Sequence, residues 1–408
     1  MALNNQFAHA DRNAALDGIR GVGALIVVFW HISVNFFPCV AWGIAQPTSF
    51  SWEHAFYTSP FWILVSGSFA VNLFFVMSGY VLTVGYFRNR KLQPLVHRAV
   101  GRPLRLGIPA AASTIALCMF FMFDPNAVAD KHIPVLQATG SYAKLAPYLN
   151  VSPSVSLKEL AANIFWLPWF QTPDFKRLYN GVLWTMYIEL IGSFFAMGLS
   201  VVLAEVKSRW LASAGTVAVA FIILFALPGY GLYFAIFLVG TAIAVIDPPS
   251  VTSTNRRRTA TIGLAVCGVV LGGYNGAGLS QFLTPVVVKV SSSIVSGSVL
   301  VMGVGAIMVF YSILRSRELA TFFSRPAFVF LGRISFALYL FHLLVIFVVG
   351  VNLFSWLGNG VSVGVRSSVA ASASLFGSIV VAAALARWVD DPAIGLARSV
   401  TRKITKDG

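Results

Sequence analysis

Residues 16–31 read LDGIRGVGALIVVFWH, and ten uncharged residues separate Arg20 from His31. An apolar run of this kind belongs in a hydrocarbon core of about 30 Å, which about 20 helical residues cross. The arginine is ordinary there, because a guanidinium at a helix end snorkels to the interface. The histidine is not: an ionisable ring inside a membrane must be satisfied, and by default it points to function. Eleven residues of α-helix turn through about 1,100° and rise about 16 Å, so Arg20 and His31 share a face to within about 20°. With Arg20 at the inner interface, His31 stands at mid-membrane, and Ala24 and Val27 lie between them. Asp17, three residues before Arg20, is placed to pair with it. Taken alone, the pair has two readings: a topology-setting arginine with a hydrogen-bonded buried histidine, or two functional groups on one face.

The 408 residues are 57% hydrophobic and 11% charged, with a mean hydropathy of +0.79, outside the range of soluble globular domains. Ten apolar runs are long enough to span, at about 19–37, 62–87, 104–123, 181–204, 210–228, 230–247, 259–275, 293–314, 327–351 and 367–387. The expected fold is all-α, a multi-pass bundle of about ten transmembrane helices in the cell membrane with both termini cytoplasmic. The formal charge of +15 does not call for nucleic acid, because the basic residues are scattered over short loops. In this topology only Lys131, Lys144, Lys158, Lys176, Arg177, Lys289 and Arg366 lie outside, seven of 29 basic residues. That asymmetry is the positive-inside pattern.

One membrane domain, residues 1–390, is expected to carry the function, with a short cytoplasmic tail at 391–408 and an external segment at about 124–180. The first run contains Trp30 and His31 and precedes nine others, so it reads as a retained helix and not a signal peptide. Pro134, Pro147, Pro153, Pro168 and Pro173 break the external segment. Its aromatic stretch 163–175, NIFWLPWFQTPDF, reads as an interfacial belt or, more sharply, as a sugar-stacking surface. Cys39, Cys118 and Cys267 show neither disulfide nor metal spacing, and no metal site is expected.

The other membrane-depth polar residues fall in one layer. Glu189 is about 12 Å beyond Gly181, His342 about 13 Å beyond Arg333, and Ser78 about 15 Å from Arg88. Ser335, Tyr339 and His342 form one helical stripe, and Thr185, Glu189 and Ser193 a second. Isolated groups of this kind are packing glue; two stripes and an Arg/His helix at one depth point to an internal polar cavity. At the inner surface, residues 98–109 read RAVGRPLRLGIP. Pro103 suits the first position of a helix, whose free N–H groups, with Arg102 and Arg105 beside them, make a site for phosphate. Arg88, Arg90, Lys91 and Arg256, Arg257 and Arg258 read as topogenic charge.

These residues resemble the acyltransferase-3 family of polytopic membrane acyltransferases, which modify bacterial surface sugars and some small metabolites. The resemblance is carried in order by LDGIRGVGALIVVFWH, by FAVNLFFVMSGY at 69–80, by RPLR at 102–105, by LWTMYIEL at 183–190, by LGRISFALYLFH at 331–342 and by WVDDP at 388–392. Asn72, Phe336 and Asp391 stand where the family often has Asp, Tyr and Glu.

The resemblance implies an acyl-CoA donor at the cytoplasmic face, with no permanently bound cofactor, and a glycan or glycolipid hydroxyl as acceptor. Arg102 and Arg105 are then candidates for the CoA phosphates, with the pantetheine arm running along the Arg20 to His31 face. His31 is the candidate base, since a group titrating near neutrality assists a hydroxyl that attacks. Glu189 is expected to hold the His31 tautomer. Ser78, Trp184, Thr185, Ser335, Tyr339 and His342 are candidates for the oxyanion or the acceptor. Direct transfer and an acyl-histidine relay both remain open, and a separate extracytoplasmic transferase is a possible partner. The rival readings are a transporter or flippase, which lacks the expected inverted repeat here, and a noncatalytic scaffold.

Overall fold

The computed structural model describes residues 2–44, 50–151, 153–170, 177–227, 229–246, 255–291 and 296–404, without the side chains of 2–13, 255–257 and 404. Lys176, Pro173, the end of the aromatic stretch after Phe170, the Arg256 and Arg257 side chains and residues 405–408 therefore lie outside the described residues. The described residues form helices and their connections, with no strand. The main helices are α1 (Ala2–Phe36), α2 (Gly67–Asn89), α3 (Leu92–Phe123), α4 (Trp184–Ala204), α5 (Arg209–Ala226) and α6 (Gly231–Ile246). They continue with α7 (Asn255–Gly272), α8 (Gly297–Arg315), α9 (Pro326–Val345), α10 (Val363–Leu385) and α11 (Asp391–Ile404).

Helix boundaries follow local chemistry. α1 ends just before Pro38, whose ring disfavours helical backbone at Phe37. α9 opens with Pro326 at its first position, where a missing N–H costs nothing. The hydroxyls of Ser208 and Ser362 accept from Leu211 N and Val365 N, capping α5 and α10.

Eight of the ten expected spans appear among the described residues as helices long and apolar enough to cross a membrane. The runs at 230–247 and 259–275 fall in α6 and α7, shorter apolar helices among the described residues. A correction concerns Pro103. It does not start a helix; α3 begins at Leu92 and runs through both Pro103 and Pro109. The free N–H groups expected beside Arg102 and Arg105 are therefore already inside a helix.

The described residues of the segment expected to lie outside, at about 124–180, include short helices such as Ile133–Thr139 and Leu157–Phe165 and no single long one, as its prolines predict. The tail is a helix, α11, packed along α3, with Ala397 and Thr401 facing Gly101.

The central packing event is between α1 and α9. A Cβ on Gly332 would lie 2.1 Å from the Asp17 carbonyl oxygen, and one on Gly21 would lie 2.4 Å from the Gly332 nitrogen. Only glycine permits this approach, which replaces hydrophobic drive by dispersion where lipid surrounds the helices. Beyond the contact, Ala24 and Val28 are wholly buried in one cluster with Ile334, Ala337 and Leu338. α2 packs against α6, α8, α4 and α1; Gly79 and Gly240 make a similar approach, each Cβ position lying 1.9 Å from a carbonyl oxygen of the other helix.

Gly332→Ala is accordingly expected to lower the thermal unfolding temperature in detergent by several degrees, the scale of about 1–3 kcal/mol for an overpacked contact. Gly107→Ala, where a Cβ meets nothing within 4 Å, should leave it unchanged or raise it. Equal behaviour of the two variants contradicts the close α1–α9 contact.

Candidate active site

Ten residues beyond Gly21 on α1 stands His31, and ten beyond Gly332 on α9 stands His342. From the glycine contact the two helices rise equally, about 15 Å, and the two rings meet. His31 Nδ1 lies 3.0 Å from His342 Nε2, with ring centroids 4.8 Å apart. His31 is half-buried, whereas His342 is wholly buried.

Backbone carbonyls assign the tautomers. His342 Nδ1 is 3.0 Å from Leu338 O, and His31 Nδ1 is 2.9 Å from Val27 O. A carbonyl oxygen only accepts, so each Nδ1 carries hydrogen. A neutral His342 then presents a lone pair at Nε2, which shares the one His31 Nδ1–H with Val27 O in a three-centre hydrogen bond. The neutral His31 is left with its own lone pair on Nε2, which has no hydrogen-bond partner among the described residues. The geometry thus leaves one imidazole nitrogen with an unshared pair and sets a second imidazole against the same ring.

Glu189, expected in that place, is elsewhere. Its Oε1 pairs with Arg102 Nη2 and accepts from Ser78 Oγ at 2.7 Å. Arg102 Nε donates to Ser193 Oγ at 2.9 Å, and Ser193 Oγ donates to the Glu189 carbonyl. The Arg102 and Glu189 side chains are 10% and 13% exposed, a buried ion pair joining α3, α4 and α2. The long N-terminal part of α3 explains the difference from expectation. Arg102 sits ten residues, about 15 Å, inside that helix, and is not at its mouth. It is paired with a carboxylate.

The remaining candidates are brought near one another, but their protons are taken. Tyr339 OH donates to Val182 O at 2.9 Å and lies 2.8 Å from Thr185 Oγ1; Ser335 Oγ donates to Gly332 O at 2.8 Å. Trp184 is half-buried, its ring 5.2 Å from that of Tyr233. Ala24 and Val27 are buried in packing, so the face between Arg20 and His31 is filled rather than hollow.

At the other end of this face Arg20 pairs with Asp17 at 2.9 Å, as their spacing predicts. Arg105 is exposed and interacts electrostatically with Arg102, Arg20, Arg398 and the buried Asp390. Asp391, beside Asp390, meets Arg333 at 3.4 Å. Among the described residues no group of His, Cys, Asp or Glu suits a metal ion.

Sequence reasoning missed two positioning groups. Asn180 is wholly buried, and its Nδ2 donates to Leu340 O at 2.8 Å and to Ser113 Oγ at 3.1 Å. It ties the start of α4 to α9 and α3, two residues from His342; a polar amide just before an apolar run was the available signal. Arg398 was hidden in what read as a tail.

The ion pair generates a prediction. Glu189→Leu alone strands a buried guanidinium and is expected to destabilise the protein by about 3–5 kcal/mol. Adding Arg102→Met should recover much of that loss in thermal unfolding, because an apolar pair of similar volume removes both charges. Additive losses in the double variant contradict a direct pair.

The acyltransferase-3 family, described as an acyltransferase domain, matches residues 13–387. No curated protein and no solved structure matches the chain. The matched range contains Arg20, the His31–His342 pair and the Arg102–Glu189 pair, and it covers nearly the whole bundle. The chain belongs to the acyltransferase-3 family, and its membrane helices are those of a multi-pass membrane acyltransferase.

Proposed function

We propose that the protein is an O-acyltransferase that moves an acyl group, acetyl by preference, from acyl-CoA to a hydroxyl of a cell-surface or secreted glycan or glycolipid. The observation that carries this reading is the free lone pair on His31 Nε2, fixed by His342 and Val27 O. The acceptor hydroxyl gives its proton to this nitrogen while its oxygen forms a bond to the thioester carbonyl carbon. Collapse of the tetrahedral centre breaks the C–S bond, and the proton passes from His31 to the departing thiolate. The imidazolium that forms donates through Nδ1 to His342 Nε2, a bond strengthened by its charge. In the relay alternative, the same lone pair bonds to the thioester carbon and the C–S bond breaks to release the thiolate; the hydroxyl oxygen then bonds to the acyl carbon as the N–C bond breaks, and its proton passes to the thiolate.

His342 is a positioning residue in this scheme, and the Arg102–Glu189 pair holds α3 against α4. Donor phosphates are assigned to the cationic end of the bundle, where Arg20, Arg102 and Arg398 each interact with Arg105, beside Asp17 and Asp390. Guanidinium groups are suited to phosphate by their forked donors and permanent charge.

The test is label transfer from isotopic acetyl-CoA into the lipid and glycan fractions of membranes bearing each variant. His31→Ala is expected to abolish transfer while the protein still inserts and folds. His342→Phe, similar in shape but unable to accept, should lower kcat about 100-fold with little change in the donor KM. Turnover retained in His31→Ala rules out both the direct and the relay form.

A further inference from the structure

The helix Leu157–Phe165 is amphipathic with its polarity reversed. Glu159 and Asn163, one turn apart, face the protein. Asn163 is buried; its Nδ2 donates to Arg177 O at 3.1 Å, and its Oδ1 accepts from Tyr179 N at 2.9 Å. Glu159 meets Arg177 at 3.7 Å. Tyr179 precedes Asn180, the amide that ties the start of α4 to α9, so this edge of the helix is anchored to the frame of the site. On the opposite edge, Leu157, Ala161 and Phe165 form an i, i+4, i+8 stripe that is exposed along its whole length, Leu157 by 86% and Phe165 by 73%. Trp166 and Phe170, which follow directly, are exposed as well.

In water a surface helix turns its polar edge outward and its apolar stripe to the core. The reverse order is stable where the surroundings are themselves apolar, and a contiguous exposed apolar patch marks a contact surface. The packing identifies the contact. Leu160 packs on a cluster that contains Leu117, Cys118 and Phe121 of α3. These residues lie about 3–9 Å along the axis from Phe123, where α3 ends. The helix is therefore level with the last turns of a membrane-spanning helix. At that level the outward stripe of α3, made by Ile115, Met119 and Met122, is exposed in the same way, and hydrocarbon covers it. Lys158 stands beside the apolar stripe, and its long stem carries the ammonium back to the headgroups.

We propose that Leu157–Phe165 and the turn that follows it to Phe170 form an in-plane membrane helix, docked on the phospholipid acyl chains of the leaflet at the C-terminal end of α3. Its apolar stripe enters the boundary between headgroups and chains, as amphipathic helices that lie on membranes do, and the Trp166 ring sits at headgroup level. The assignment extends the interfacial belt expected for the aromatic stretch back to Leu157, and it does not depend on the acyltransferase chemistry. With lipid holding one edge and the backbone at Arg177 and Tyr179 holding the other, the bilayer surface becomes part of what positions Asn180.

The test uses the full chain in phospholipid vesicles, with Cys267→Ser removing the exposed cysteine and a nitroxide attached at Ala161→Cys. Relaxation of the label by oxygen, which concentrates in hydrocarbon, is compared with relaxation by a water-soluble nickel chelate. Phe376→Cys, at an exposed position within α10, gives the hydrocarbon reference, and Lys144→Cys gives the aqueous one. At Ala161 oxygen is expected to exceed nickel by about threefold, the balance of a site a few ångströms below the headgroups. Nickel ahead of oxygen there means that water meets the stripe. Exclusion of both reagents means that a second copy or another protein covers it. Either result overturns the proposal.

If the labelled variants do not insert, cross-linking of the wild-type protein decides, using a phospholipid with a photoactivatable group near the top of its acyl chain. Adducts are expected within residues 157–170. Adducts on α10 with none in 157–170 overturn the proposal.

Discussion

The contact between α1 and α9 is the constraint on which the site depends. Gly21 and Gly332 let two backbones approach to a distance that a single methyl group would block. From that point both helices rise in step, and the histidine that each carries ten residues later arrives at the same height. Neither imidazole is tolerable alone in an apolar layer, because an unpaired polar group buried there costs several kcal/mol. Together they satisfy each other, and the carbonyl one turn back on each helix sets where the hydrogens lie. The result is one nitrogen, His31 Nε2, with an unshared pair.

A carboxylate is the more familiar partner for a catalytic imidazole, and here the carboxylate is used elsewhere. Glu189 balances Arg102 in a buried pair that ties α3 to α4, with Ser78 and Ser193 filling the remaining hydrogen-bonding positions. This division has an electrostatic reason. A second imidazole brings no net charge into the membrane layer, whereas a carboxylate requires a countercharge beside it. The layer of polar groups is therefore two constellations, a neutral pair of imidazoles and an ionic pair that joins helices.

Much of this was legible in the sequence. Hydrophobic runs gave the spans because a lipid-exposed backbone must be helical, and i, i+3 spacing gave the Asp17–Arg20 pair. Counting residues from helix ends placed Ser78, Glu189, His31 and His342 at similar depth, and helical periodicity placed Thr185 and Tyr339 on polar stripes that do meet. What depth and periodicity lack is the rotation of one helix against another. Nothing in the strings around His31 says whether α9 or α4 presents its polar stripe to it; that choice is made by the glycine contact, which involves residues far apart in the chain. The misread helix start at Pro103 has a different source. Pro103 is compatible with a helix start and with a helix interior, and only tertiary packing along α3, including that of α11, selects the second.

The most direct measurement of the central claim is the protonation pattern of the two imidazoles in the protein, labelled with ¹⁵N-histidine and studied by NMR in a lipid bilayer at neutral pH. Hydrogen on Nδ1 of both His31 and His342, with an unprotonated Nε2 on His31 and a coupling across the His31 Nδ1 to His342 Nε2 bond, is the predicted result. Hydrogen on His31 Nε2, or the absence of any coupling between the two rings, would contradict it.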